Sequence, residues 1–227
     1  MRQQLVIQFL PLEVSLFALL AGWLVVGLVR GLIAGPLIES GATAASAAPA
    51  PVQNEQVSPA SPGTIISPVF TPEVQHWAPQ IGAWAERAGL DPNLAATVMQ
   101  IESCGDPQAV SISGAQGLFQ VMPFHFGPGE AMQDPDTNAL RGLNYLALGL
   151  ARGGGQAGLA LAGYNGGHSV IGKDSSLWAA ETRRYYYWGS GIYEAAASGA
   201  AASDRLDEWL AAGGASLCNQ AANRLWP

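Results

Sequence analysis

A mainly α-helical domain is the fold this sequence predicts, on three observations. Apolar residues recur at helical spacing through most of residues 71–212, Asp-Pro, Thr-Pro or Gly steps punctuate several of the runs, and alternating strand patterns are nearly absent. Thr71-Pro72-Glu73 reads as an N-cap, a first-turn proline and a first-turn acid. Val74, Trp77, Ile81, Trp84 and Ala88 then follow at helical spacing, up to a stop at Gly89. Asp91-Pro92 opens a second helix in the same way, running to about Ser103. A third begins near Asp134-Pro135 and carries Leu140, Leu143, Tyr145, Leu146 and Leu150. Further helical runs cover about 156–163, 176–197 and 203–212. Residues 110–123 (VSISGAQGLFQVMP) are the one candidate for an extended or irregular segment.

Composition narrows the function. Of 227 residues, 10 are Lys or Arg and 17 Asp or Glu, a net charge of −7 that argues against phosphate-backbone binding and so against a nucleic-acid partner. With 49% hydrophobic and 12% charged residues, the chain is no disordered polyelectrolyte. Two cysteines and three scattered histidines (His76, His125, His168) form no metal-ligand spacing, so neither a metal nor another cofactor is expected.

Much of the apolar excess sits at the amino end. Val14 to Val29 is uncharged, and with Arg30 tolerated the apolar stretch continues to Ile38. Those 25 residues would span roughly 37 Å as a helix, enough to cross a bilayer with some tilt. Residues 1–39 therefore read as a transmembrane signal anchor, with a cleaved signal peptide ending near Ala42-Thr43-Ala44 as the rival. Residues 40–70 hold 7 Ala, 5 Pro, 5 Ser and 2 Gly with Glu55 as the only charge, the composition of a tether. Residues 71–227 are long enough for one self-sufficient core. Either reading of the amino end places that domain outside the cytoplasm. There a disulfide between Cys104 and Cys218, tying the end of the second helix to the carboxyl-terminal tail, is expected.

On the second helix Leu94, Val98 and Glu102 fall at i, i+4 and i+8 on one stripe that is apolar until its last member. A carboxyl facing a core or cleft is desolvated, and the carbonyl end of its helix adds partial negative charge; both raise its pKa. A glutamate protonated near neutrality is what a general acid requires. From the helix alone, a solvated acid at a fraying helix end is the favoured reading.

Downstream of Glu102-Ser103 come Gly114-Ala115-Gln116-Gly117-Leu118-Phe119-Gln120-Val121-Met122-Pro123, then Asn138, Gly142 and Tyr145-Leu146, then Gly163-Tyr164-Asn165-Gly166-Gly167, then Glu181-Thr182 with Tyr185. In this order the set resembles the lytic transglycosylase family of the lysozyme superfamily, over about residues 72–190. Phe119 stands for the usual Met and Gly163 for an Ala, and Phe124–Gln133 lacks the family's helical look, departures that touch groove shape more than chemistry.

The resemblance implies a lysozyme-like helical domain with a groove for peptidoglycan strands, and a single glutamate serving twice. Glu102 would protonate the oxygen between N-acetylmuramic acid and N-acetylglucosamine, then take the proton of the muramoyl C6 hydroxyl as a 1,6-anhydro ring closes. Ser111, Gly117, Gln120 and Met122 would line the groove, with Asn165 first a turn residue and second a groove residue. Tyr164 would hydrogen-bond the catalytic carboxyl or the substrate acetamido group, and Glu181 would help hold the muramoyl sugar. One or two members of the run Tyr185–Trp188 would offer an aromatic platform to sugar rings. Against these stand simpler roles: Gln120 satisfying loop backbone, Met122 filling core, Glu181 pairing with Arg184, and the Tyr185–Trp188 run packing as core. A hydrolytic muramidase of the same fold and a non-catalytic glycan-binding module are the alternatives.

Overall fold

The computed structural model describes residues 65–227. The apolar stretch from Val14 to Ile38, and with it the expected anchor, lies outside the described residues, as do residues 40–64 of the expected tether. Among the described residues no helix is long and apolar enough to cross a membrane.

Eight α-helices follow in order: α1 (Pro72–Gln75), α2 (Ala78–Ala88), α3 (Pro92–Glu102), α4 (Pro135–Arg152), α5 (Ala157–Gly166), α6 (Ala180–Ala197), α7 (Asp204–Trp209) and α8 (Ala215–Leu225). No strand forms among the described residues; the 110–123 segment makes only isolated antiparallel bridges, Val110 with Gln116 and Gln116 with Val121. The class is mainly α, as the periodicity predicts.

α3 is the axis of the core. Every residue from Leu94 to Gln100 is buried, the pattern of a helix packed on all sides. α2 and α6 pack against it, α4 lies against α2 and α5, and α5 lies against α6. Asp91 caps α3 by accepting from Asn93 N at 2.8 Å, and Asp134 caps α4 by accepting from Thr137 N at 2.9 Å, the Asp-Pro starts legible in the sequence. Gln100, fully buried within α3, accepts from Thr71 N at 3.1 Å, so its polarity is satisfied internally.

Four boundaries differ from expectation. The ordered domain starts before residue 71: Ile66, Val69 and Phe70 are buried, and Ser67 N donates to Asn93 Oδ1 at 2.7 Å. Linker-like composition hid them, because three apolar side chains among small residues and proline carry no periodicity. The first helical run is split into α1 and α2 at His76–Trp77, where Pro79 has no N–H to give the preceding turn and instead sits in the first turn of a new helix. α6 opens at Ala180, the preceding residues forming only a short 3-10 turn at Ser175–Leu177.

The fourth is an unexpected helix, α8. Gly213 and Gly214 read as a stop, yet Gly213 (φ 127°) only bends the chain and a new helix continues. A Cβ on Gly214 would lie 2.4 Å from the Trp209 ring, so glycine there leaves room for that ring at the bend between α7 and α8.

Candidate active site

Glu102 is the last residue of α3, and the chain leaves the helix by reversing direction. Cys104 (φ 50°) and Gly105 (φ 86°) both take left-handed backbone. The turn is pinned from three sides. Ser103 Oγ donates to Leu118 O at 2.7 Å and accepts from Gly105 N at 3.1 Å, while Trp77 Nε1 donates to Gly105 O at 2.9 Å. Cys104 is bonded to Cys218 of α8, the pairing expected for an exported domain. The Glu102 side chain thereby borders a cavity of about 370 Å³, shared with Asp106, Ser111 and Gln120 from the loop and Leu217 and Arg224 from α8.

The loop opposite Glu102 is built as a rigid wall. Gln116 and Val121 exchange two backbone hydrogen bonds at 3.0 Å, and Gly117 N donates to Ala109 O at 2.8 Å. Asn138, fully buried in α4, accepts from Phe119 N at 2.8 Å and donates to Gln116 O at 2.7 Å and Met132 O at 2.8 Å. One amide side chain thus substitutes for a sheet partner. Gly117 (φ 71°) lets that amide approach, since a Cβ there would lie 2.7 Å from Asn138 Nδ2.

Beyond Gln120 lies a second cavity of about 150 Å³, lined by Met122, Phe124, His125, Tyr145, Tyr164 and Asn165 among others. Gln120 borders both spaces. Gly142 of α4 permits the second one's floor, as a Cβ would lie 2.7 Å from Phe119 Cβ and 2.9 Å from the Tyr164 hydroxyl.

Electrostatics single out Glu102. Burial is the main cause that raises its carboxyl from 4.5 to about 8; the negative charge of Glu181 adds to this, and the Tyr185 hydroxyl opposes it. The acid is therefore largely protonated at neutral pH. Burial also pushes the hydroxyls of Tyr164 and Tyr185 well above 10, with the Glu102 charge adding in each case. Tyr185 Oη is buried without a partner at full hydrogen-bonding geometry among the described residues, although it faces Glu102. The contact is a loose one, of the kind that tightens when charge develops on the acid or substrate binds.

Of the residues singled out from sequence, Glu102, Ser111 and Gln120 share one cavity, and Gln120, Met122, Tyr164 and Asn165 share the other. Gln120 also does the simpler job foreseen for it, donating to Ala109 O at 3.1 Å and Gly117 O at 3.0 Å from a left-handed backbone (φ 45°). Asn165 Oδ1 accepts from Thr182 Oγ1 at 2.9 Å. Glu181 stands exposed in the first turn of α6, and no ion pair with Arg184 occurs among the described residues.

Two expectations change. Tyr164 does not hydrogen-bond Glu102: its hydroxyl donates to Phe119 O at 2.7 Å, which leaves the substrate acetamido group as the other expected partner. Gly117 lines neither cavity and acts through its backbone alone. Sequence reasoning had Tyr185 in the motif order and in an aromatic run read as core or glycan platform, and missed its place beside Glu102, which joins α3 to α6 across a distance in sequence that no spacing encodes. It missed Arg224 for the same reason.

The family model described as Transglycosylase SLT domain matches residues 79–186, from α2 to the first turns of α6. Over these residues the chain is similar to the lytic transglycosylase family. A protein of Enterobacteria phage PRD1 described as a transglycosylase is 38% identical over 112 residues, covering 48% of this chain and 40% of the phage protein. An endo-type membrane-bound lytic murein transglycosylase A of Klebsiella pneumoniae is 32% identical over 100 residues, covering 36% of this chain and 49% of the relative. The chain thus spans less than half the length of these relatives. Among solved structures, an inactive mutant of the lytic transglycosylase Slt from Pseudomonas aeruginosa aligns at a TM-score of 0.39 and 21% identity, over 64% of this chain and 24% of that one.

Within this transglycosylase domain the Tyr185 hydroxyl stabilises the ionised form of Glu102, so Tyr185→Phe is expected to raise the Glu102 pKa further. Turnover should fall by about tenfold, the scale of one lost hydrogen bond to a charged group. A pH–rate profile whose upper limb moves to higher pH checks the cause; an unmoved limb would remove Tyr185 from the site.

Proposed function

We propose that this chain is a membrane-anchored peptidoglycan lytic transglycosylase with a lysozyme-like helical domain, cleaving between N-acetylmuramic acid and N-acetylglucosamine and leaving a 1,6-anhydromuramoyl end. The anchor is the Val14–Ile38 stretch, and the catalytic domain works outside the cytoplasm. One observation carries the reading: a glutamic acid held protonated near neutrality at the wall of a cavity. The cavity's other carboxyl is already committed, as Asp106 Oδ1 accepts from Gln108 N at 2.9 Å and lies 3.5 Å from Arg224 Nε. Hydrolytic glycosidases usually need a second free carboxylate as nucleophile or base. A single acid fits a reaction in which the substrate supplies the nucleophile.

In that reaction Glu102 gives its proton to the glycosidic oxygen as the C1–O bond breaks. The 2-acetamido carbonyl oxygen of the muramoyl residue closes onto C1. Glu102 is now a carboxylate in a poorly hydrated niche, hence a strong base, and takes the proton of the C6 hydroxyl. O6 then displaces the acetamido oxygen at C1, and Glu102 is protonated again with no water consumed. Because both nucleophiles belong to the sugar that reacts, their positioning contributes several kcal/mol. Ser111, Gln120, Met122, Tyr164 and Asn165 hold the strand along the two cavities, with Glu181 reaching it from the exposed first turn of α6. The Phe119–Tyr164 bond keeps the tyrosine ring fixed as part of that wall.

The test is the mass of the soluble muropeptides released from purified sacculi by the full chain. Anhydro ends, lighter by one water than reducing ends, are expected. Reducing ends would make the protein a muramidase, and binding without release would make it a glycan-binding module.

A further inference from the structure

Helix α8 lies outside the residues matched by the transglycosylase family, yet it forms one wall of the Glu102 cavity. Leu217, Gln220 and Arg224 lie on one face of α8 and line that space, while Cys218 and Ala221 beside them are buried in the core. The Cys104–Cys218 bond fixes this wall two residues from the acid. Arg224 is the one Lys or Arg among the residues lining the cavity.

The guanidinium is held but not used up. Its Nε lies 3.5 Å from Asp106 Oδ1, longer than a hydrogen bond, and that oxygen already accepts from Gln108 N at 2.9 Å. Among the described residues Arg224 donates to no acceptor at hydrogen-bonding distance, and its side chain is 50% exposed. Asp106, 5% exposed, orients the side chain, which leaves most of a five-donor planar fork facing the cavity. Such a fork matches a carboxylate with two parallel hydrogen bonds, which a lysine ammonium does not.

We propose that Arg224 is a substrate-binding residue that receives a carboxylate borne by the muramoyl sugar, and so sets which strands the enzyme accepts. The inference rests on the proposed reaction and deepens it. Two sources share this chemistry: the lactyl carboxylate, free when a strand carries no peptide, and the carboxylates of an attached peptide stem. The contact acts through affinity, because a guanidinium paired with a substrate carboxylate neither gives nor takes a proton in the reaction.

The test compares the full chain with Arg224→Gln and Arg224→Lys on soluble glycan strands bearing peptide stems and on strands stripped of them. Arg224→Gln is expected to raise KM about tenfold on one of the two, with kcat unchanged, and Arg224→Lys to recover part of the loss. The difference should shrink as salt is raised. An effect confined to stripped strands identifies the lactyl carboxylate, and one confined to stem-bearing strands identifies the stem. Equal KM for wild type and Arg224→Gln on both would overturn the inference, as would a fall in kcat and thermal stability alone, which marks a purely structural ion pair with Asp106. Failure of the proposed reaction looks different: the wild type itself would release no anhydro product.

Discussion

Glu102→Gln is expected to lower release of anhydro muropeptides by about 10²–10⁴-fold, the range that a positioned general acid and base contributes. Gln has the shape and neutrality of the protonated acid, so the fold should persist and strand binding should change little. On the proposed mechanism the acid form is the active one. Turnover should therefore fall as pH rises through about 8, where the carboxyl ionises.

The same shift has a stability consequence. The native pKa lies above the unfolded value of 4.5, so between 4.5 and about 8 the native state holds a proton that the unfolded chain releases. Stability falls as pH rises through that window, by at most about 1.4 kcal/mol per pH unit from this group. Glu102→Gln lacks that slope and should melt higher than wild type at pH 9. Thermal melts of both proteins at pH 5 and pH 9, with muropeptide release measured in parallel, check the pair of claims. Equal activity of the two proteins would remove Glu102 from the chemistry.

Breaking the Cys104–Cys218 bond carries the second large effect. It closes a loop with a sequence separation of 114 residues, which on the chain-entropy model is worth about 4–5 kcal/mol. For a domain of this size that corresponds to a fall in melting temperature of roughly 10–20 °C. The Cys104→Ser/Cys218→Ser double variant, or the wild type under reductant, should show it by calorimetry. Activity should drop as well at temperatures below the melt. The bond joins the turn after Glu102 to α8, and α8 walls the Glu102 cavity. An unchanged melt under reductant would contradict the entropic account.

The helices were legible where local chemistry is strong. Asp91-Pro92 and Asp134-Pro135 start helices because an aspartate that accepts a backbone N–H, followed by a proline that needs none, suits a first turn and little else. The stripe of Leu94, Val98 and Glu102 was legible, but it suits a solvated acid as well, and it was the ordered motifs from Gly114 to Tyr185 that pointed to a chemical role for Glu102. α8 was not, since Gly213-Gly214 is the same dipeptide whether a chain stops or bends, and only the Trp209 ring packed against Gly214 chooses. Ile66, Val69 and Phe70 were hidden in a composition that elsewhere means tether.

Within residues 65–227, chain order alone carried the helical class and most helix starts, because each depends on neighbours a few positions apart. Packing settled which proton Tyr164 gives away, which hydroxyl meets Glu102, and that Arg224 shares its cavity. Those relations join groups 45 to 122 positions apart, and their geometry follows from how the helices and the 110–123 loop pack, a sum of many weak contacts that no single stretch of residues contains.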